Sequence, residues 1–287
     1  MIKELLDRYN LKTEDDYYNA LREILQEIAI AGLYRANFFE KAAFYGGTCL
    51  RVFYGIKRYS EDLDFSLLKT DRDFSLDFYF EGLKTEFRAF GVEVDIRHKQ
   101  KTNITAIESA FLKSNTVINI LTLTDKNFTV PLNRNKKIKI KFEVDTNPPL
   151  KFETEEKLLL KPFSCFIKCF SLPDLFAGKM HALLFRKWKN RVKGRDWYDF
   201  EWYVTNSIEL SLGHLSERAI QSGDIELGTD LNKNLLYSLM IEKINSLDLS
   251  MVKSEVYNFV EDQNQLDIWT KEYFLQLVKM IKFKHES

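Results

Sequence analysis

The sequence predicts an α/β (α+β) protein with a mixed sheet, flanking helices and a helical C-terminal region. Three observations carry this. Two-residue alternation marks strands in the first half, most cleanly in Ile138-Lys139-Ile140-Lys141-Phe142-Glu143-Val144-Asp145, where successive side chains take opposite faces. Helix-period stripes are interleaved with these strands, as at Leu21, Ile24, Leu25, Ile28 and Ala29,. After Pro149 the alternation gives way to helical periods. A soft boundary near 150–165 separates a core domain with an N-terminal helix, 1–150, from a helical domain, 151–287.

A helix over 13–32 starts at Thr13-Glu14-Asp15-Asp16, a plausible capped end, and Gly32 marks its stop,. Residues 38–45 form the first strand and lead into Gly46-Gly47. A short helix over 48–54 ends at Gly55. Residues 59–67 form a strand in which Asp62 and Asp64 share one face while Leu63 and Phe65 enter the core,. Phe74, Leu76, Phe80, Leu83 and Phe87 predict a helix over 71–90, terminated by Gly91,. Strands follow over 92–96, 104–112 and 116–123. A turn at 133–136 precedes the strand over 138–145, which Asn147-Pro148-Pro149 ends,. Ser171-Leu172-Pro173-Asp174 opens a helix running to about 188,. A second helix runs from near Gly194 to 205. Further helices cover 212–221, 231–244, 250–258 and 270–285.

The 287 residues are 45% hydrophobic, ample for a packed core,. Lysine plus arginine and aspartate plus glutamate both number 42. A chain of zero net charge is not a general nucleic-acid coat, so a polyanion must be held by a local patch. The charged, amphipathic N-terminus is unlike a signal peptide. No apolar run approaches the roughly 20 residues of a membrane span. Three cysteines, Cys49, Cys165 and Cys169, are an odd, sparse set that fits a reducing cytoplasm. Cys165 and Cys169 would share a helix face, but no His or Cys nearby completes a zinc set, so they read as buried thiols.

The chemistry centres on Phe44-Tyr45-Gly46-Gly47-Thr48-Cys49-Leu50-Arg51, continued by Arg58-Tyr59-Ser60-Glu61-Asp62-Leu63-Asp64-Phe65. Glycines before a helix let backbone amides approach a phosphate. Two carboxylates on one strand face repel each other unless a cation lies between them, and oxygen ligands suit a hard ion such as Mg²⁺. The pattern resembles the nucleotidyltransferase superfamily related to DNA polymerase β. More narrowly, Gly-Gly-Thr-x-Leu and Arg-x-Ser-Glu-Asp-Leu-Asp-Phe resemble the AbiEii/AbiGii toxin family of nucleotidyltransferases, found in bacterial toxin–antitoxin and abortive-infection systems.

The resemblance implies a polymerase β-like core that transfers a nucleoside monophosphate from an NTP and releases pyrophosphate. It makes Asp62 and Asp64 metal ligands for Mg²⁺ (or Mn²⁺), with a third carboxylate on a neighbouring strand. Glu143 and Asp145 share a polar face and either can close the triad. Glu143 is preferred because Asp145 borders the Pro-Pro stop. The plain alternative is a solvated edge that deters aggregation. Gly46, Gly47, Thr48, Arg58, Ser60 and Lys179 are the nucleotide-binding candidates. On its helix Lys179 shares a stripe with Leu172, Leu175, Phe176 and Leu183, which by itself reads as snorkelling. Asp174 to Leu183 nonetheless looks like the family's second motif, whose lysine neutralises nucleotide phosphates.

Lys193-Gly194-Arg195-Asp196-Trp197-Tyr198-Asp199-Phe200 resembles the family's Lys-x-Arg-Asp-x-Tyr-Asp-Leu box, with Phe200 in place of Leu. Asp196 is taken as catalytic, orienting Lys179 or the acceptor hydroxyl. Its alternative is to cap the helix dipole. Arg195, Lys193 or Lys179 would partner the acids, and Lys179 and Asp196 are expected to contribute to the same cleft as the carboxylates. The basic run around Trp188, with Lys187, Lys189 and Arg191, suits an RNA backbone or is a solvated turn. His98 and His181 have no evident partner set. The expectation is a cytoplasmic toxin with a tRNA 3′ end as acceptor and a cognate antitoxin. The alternatives are modification of a small molecule or protein, and a non-catalytic NTP-binding module.

Overall fold

The computed structural model describes residues 2–98, 116–123, 138–186 and 192–285, with the backbone alone at 97–98 and 116–123. The fold is α/β, and the chain forms two compact units. The first is Met1–Gly55, Tyr59–Pro148 and Glu156–Cys169. The second is Ile56–Arg58, Pro149–Glu155 and Phe170–Ser287. The chain passes between these units several times.

The first unit contains α1 (Ile2–Leu6), α2 (Glu14–Arg35), β1 (Ala42–Tyr45), α3 (Gly46–Tyr54), β2 (Asp62–Leu67), α4 (Phe80–Ala89), β3 (Val94–His98), β4 (Thr116–Leu123), β5 (Lys139–Asp145), β6 (Thr154–Leu159) and β7 (Cys165–Phe170). Its sheet has the order β3-β4-β5-β2-β1-β7-β6. β1 and β2 are antiparallel, β2 and β5 parallel, β4 antiparallel to both β5 and β3, and β1 parallel to β7. Alternation decides the faces. Leu63, Phe65, Ile140, Phe142 and Val144 are fully buried. Phe65 lies among Phe38, Phe39, Phe44 and Phe142, with ring centroids 5.0–6.5 Å apart, in edge-on and stacked arrangements that favour aromatic packing.

The capping box at Thr13 and Asp16 forms as expected. Gly32 does not stop α2, which continues to Arg35. A Cβ on Gly32 would lie 3.2 Å from the Leu83 Cα and 3.1 Å from the Glu86 Cβ. The glycine therefore permits close approach of α4 inside a helix. Of the expected strand over 38–45, Phe38–Glu40 is a 3-10 turn and only Ala42–Tyr45 is extended. Part of the helix expected over 71–90 is a 3-10 turn at Leu76–Tyr79. β6 and β7 were not foreseen. The polar run of β6 and the brevity of both hide them. Cys165, Ile167 and Cys169 are buried on one face of β7, so these thiols share a strand face, not a helix face. All three cysteines are buried thiols. The strand expected at 104–112 and the turn at 133–136 lie outside the described residues.

The second unit contains α5 (Leu172–Phe185), α6 (Gly194–Thr205), β8 (Glu209–Leu210), α7 (Leu212–Gln221), α8 (Lys233–Asn245), α9 (Leu249–Val256), α10 (Lys271–Lys279) and β9 (Lys282–Phe283). The helix expected over 270–285 ends at Lys279, and β9 pairs with β8. Its core joins Phe176 stacked on Tyr203 at 4.4 Å to Trp197, Phe200, Trp269 and Phe274. Among the described residues no helix is long and apolar enough to cross a membrane.

Candidate active site

In the first unit, β1 runs straight into α3, and the joint is Gly46 at φ +81°. That conformation favours glycine. A Cβ there would also collide with the Asp64 carboxylate. The backbone thus closes onto a carboxylate at the start of a helix, with no side-chain cap from Tyr45. Thr48 is fully buried, and its hydroxyl donates to the Asp62 carbonyl, tying α3 to β2. The hydroxyl expected to cradle phosphate is thus occupied within the fold. The amides of the first turn, at Gly46 and Gly47, remain the groups suited to an anion. Ser60 is half-buried, and its carbonyl accepts from Gln26 Nε2 at 3.3 Å.

The β2–β5 register pairs Asp62 with Lys141, Asp64 with Glu143 and Ser66 with Asp145. Paired residues of neighbouring strands project to the same face, about 5 Å apart. Glu143 is therefore the carboxylate level with Asp64. Asp145 lies two residues further along and accepts from the Asn147 amide at 3.0 Å, closing the turn after β5. Lys141 is an unanticipated member of this array. Its ammonium pairs with Glu143. Burial disfavours its charge, but Glu143, Asp62 and Asp64 outweigh that and raise its pKa. Strand parity already placed Lys141 on the face of Glu143; its pairing with Asp62 was not readable.

The donor set of Asp62, Asp64 and Glu143 is all-oxygen, as a hard divalent ion requires, and the Gly46 cradle leaves room at Asp64 that a Cβ would fill. Glu143 is paired with Lys141, and no group of three or more His, Cys, Asp or Glu among the described residues is arranged to hold a metal ion. By donor chemistry alone, these three side chains suit such an ion.

The second unit holds a buried charge network. Arg58 is 2% exposed and Asp199 fully buried. Arg58 Nε and Nη2 donate to the two Asp199 oxygens at 2.5 and 2.6 Å. Lys179 Nζ lies 2.8 Å from Asp199 and 2.9 Å from Asp196, and Arg186 lies 3.5 Å from Asp196. Burial pushes the Asp196 carboxyl up, but Lys179, Arg186 and Lys193 outweigh it and hold it at about 2. Burial likewise opposes the Lys179 charge, while Asp196 and Asp199 raise its pKa. Lys179 thus neither snorkels nor stands free, because it bridges two buried acids. Arg58, a nucleotide-binding candidate from the sequence, is turned inward to Asp199. Arg195 lies 3.8 Å over the Phe259 ring and 3.5 Å from Glu255.

A cavity of about 220 Å³ opens beside Asp196, lined also by Arg186, Lys193, Trp197, Lys243 and Asp248. Burial lowers the Lys193 ammonium to about 8, with Lys179, Arg186 and Arg195 adding to the effect against Asp196. Lys243 had no motif or spacing to mark it. His181, which lacked evident partners, has Nε2 2.9 Å from Ser222 Oγ and 3.2 Å from Asp224. Lys187, Trp188, Lys189 and Arg191 of the basic run lie outside the described residues, and so does the His98 side chain.

A family model described as "Nucleotidyl transferase AbiEii toxin, Type IV TA system" matches residues 28–283. Among solved structures, JHP933 from Helicobacter pylori is similar with a TM-score of 0.50 and 19% identity, covering 89% of this chain and 90% of that one. A second H. pylori structure, named as a nucleotidyltransferase, has a TM-score of 0.48 and 19% identity, covering 89% and 92%. No curated protein matches.

Proposed function

The chain belongs to the AbiEii nucleotidyl transferase toxin family of Type IV toxin–antitoxin systems, and from that premise we propose that it transfers a nucleoside monophosphate from an NTP to a tRNA 3′ end, releasing pyrophosphate. The observation that carries the reading is the register that sets Glu143 level with Asp64, beside a glycine whose missing Cβ makes room for the Asp64 carboxylate. Asp62, Asp64 and Glu143 would hold Mg²⁺ or Mn²⁺, which when bound supplies Lewis-acid activation and neutralises charge on the leaving pyrophosphate. The amides of Gly46 and Gly47 at the α3 N-terminus bind nucleotide phosphate oxygens. Lys179, oriented by Asp196 and Asp199, is the second unit's phosphate-neutralising cation. The acceptor is the one the family resemblance implies. In this reading the protein acts in the cytoplasm, in keeping with its cysteines being thiols,, and a cognate antitoxin relieves the growth arrest.

The test is incubation of the purified protein with each labelled NTP and total tRNA, followed by sequencing of the 3′ ends. Extended ends with the wild type and none with Asp64→Asn support the reading. Label on protein or on a small molecule instead replaces the acceptor, and no pyrophosphate with any acceptor removes the transferase reading.

A further inference from the structure

We infer that Lys141 is a built-in counter-cation of the carboxylate array that competes with the divalent ion for Glu143; this rests on the reading that Asp62, Asp64 and Glu143 hold that ion. The register makes a two-by-two array on one sheet face: Asp62 beside Lys141, and Asp64 beside Glu143. Three carboxylates and one ammonium carry a net charge of −2, which a divalent ion neutralises. Glu143 is the acid whose carboxylate Lys141 contacts, so it is the acid withheld until the ammonium leaves. The apolar neighbours Ile140, Phe142 and Val144 are fully buried, so the β5 backbone is held. The Lys141 side chain is 33% exposed and its long stem can swing away. The switch is therefore a side-chain exchange on a rigid strand. Without the ion, Lys141 relieves the repulsion of the array; with the ion bound, it gives up Glu143.

The exchange predicts a direct effect on ion affinity. A unit charge about 5 Å from a divalent ion weakens its binding roughly tenfold even at the dielectric constant of water. The experiment is a Mn²⁺ titration of the full-length protein without nucleotide, followed by electron paramagnetic resonance of the free ion, with thermal melts in parallel. Lys141→Met, which keeps the stem and removes the charge, should tighten Mn²⁺ binding about tenfold and lower the melting temperature of the metal-free protein, with Mn²⁺ restoring it. Lys141→Arg should bind like wild type. Lys141→Gln is the second neutral variant if the Met variant folds poorly. Wild-type or weaker Mn²⁺ affinity in both neutral variants, with Asp64→Asn still abolishing binding, overturns the counter-cation role and leaves the metal reading standing. No Mn²⁺ binding by the wild type, or binding untouched by Asp64→Asn, overturns the metal reading itself, and the inference with it.

Discussion

Replacing Arg58 with Met separates a structural guanidinium from a nucleotide-binding one. Arg58 and Asp199 are 2% and 0% exposed and joined by two short hydrogen bonds. Removing one partner of a buried pair costs about 3–5 kcal/mol, because the other charge stays buried. Lys179 remains 2.8 Å from Asp199, so the cost falls at the lower end, about 3 kcal/mol. At about 2–4 °C per kcal/mol for a domain of this size, the melting temperature drops by roughly 6–12 °C. The tryptophans among the described residues, Trp197, Trp202 and Trp269, all belong to the second unit. Tryptophan fluorescence during heating or urea unfolding therefore reads the affected unit directly, and NTP affinity is measured alongside. A loss below about 1 kcal/mol, the scale of a surface ion pair, together with weaker NTP binding, would refute the buried-pair argument and return Arg58 to the nucleotide.

Three further outcomes follow from the same geometry. Asp196 is held at about 2, below its ordinary 3.8, so its stabilisation is present above about pH 4 and lost as pH falls through about 2. Acid unfolding followed by tryptophan fluorescence should show that dependence, and Asp196→Asn should lack it. Gly46→Ala forces a Cβ into the Asp64 carboxylate at φ +81°, at a conformational cost of about 1–2 kcal/mol; Mn²⁺ binding and nucleotide transfer should both fall, and wild-type values of both would refute the cradle. Lys179→Met should slow transfer about a hundredfold or more. It should also destabilise the second unit, because Asp196 and Asp199 each lose a partner within 3 Å; a slowed enzyme of wild-type stability would show that the bridge carries no structural load.

The sequence by itself determined what local physics governs. Period-two alternation decided that Asp62 and Asp64 share a face and that Leu63 and Phe65 enter the core. The Thr13–Asp16 box was legible because a helix start uses residues three apart, and the Gly-Gly step that opens α3 was legible because the positive φ at Gly46 selects glycine,. Tertiary structure decided the partners. A slip of two residues between β2 and β5 preserves every face, so no alternation pattern could choose Glu143 over Asp145 as the acid beside Asp64, or set Lys141 beside Asp62. Gly32 reads the same whether it ends a helix or admits α4, because the difference lies in Leu83 and Glu86, half a hundred residues away. Arg58 and Asp199 are separated by 141 residues, and neither has a local signal for the other. Local patterns state which way a side chain points; the long-range packing of a core states what it meets there.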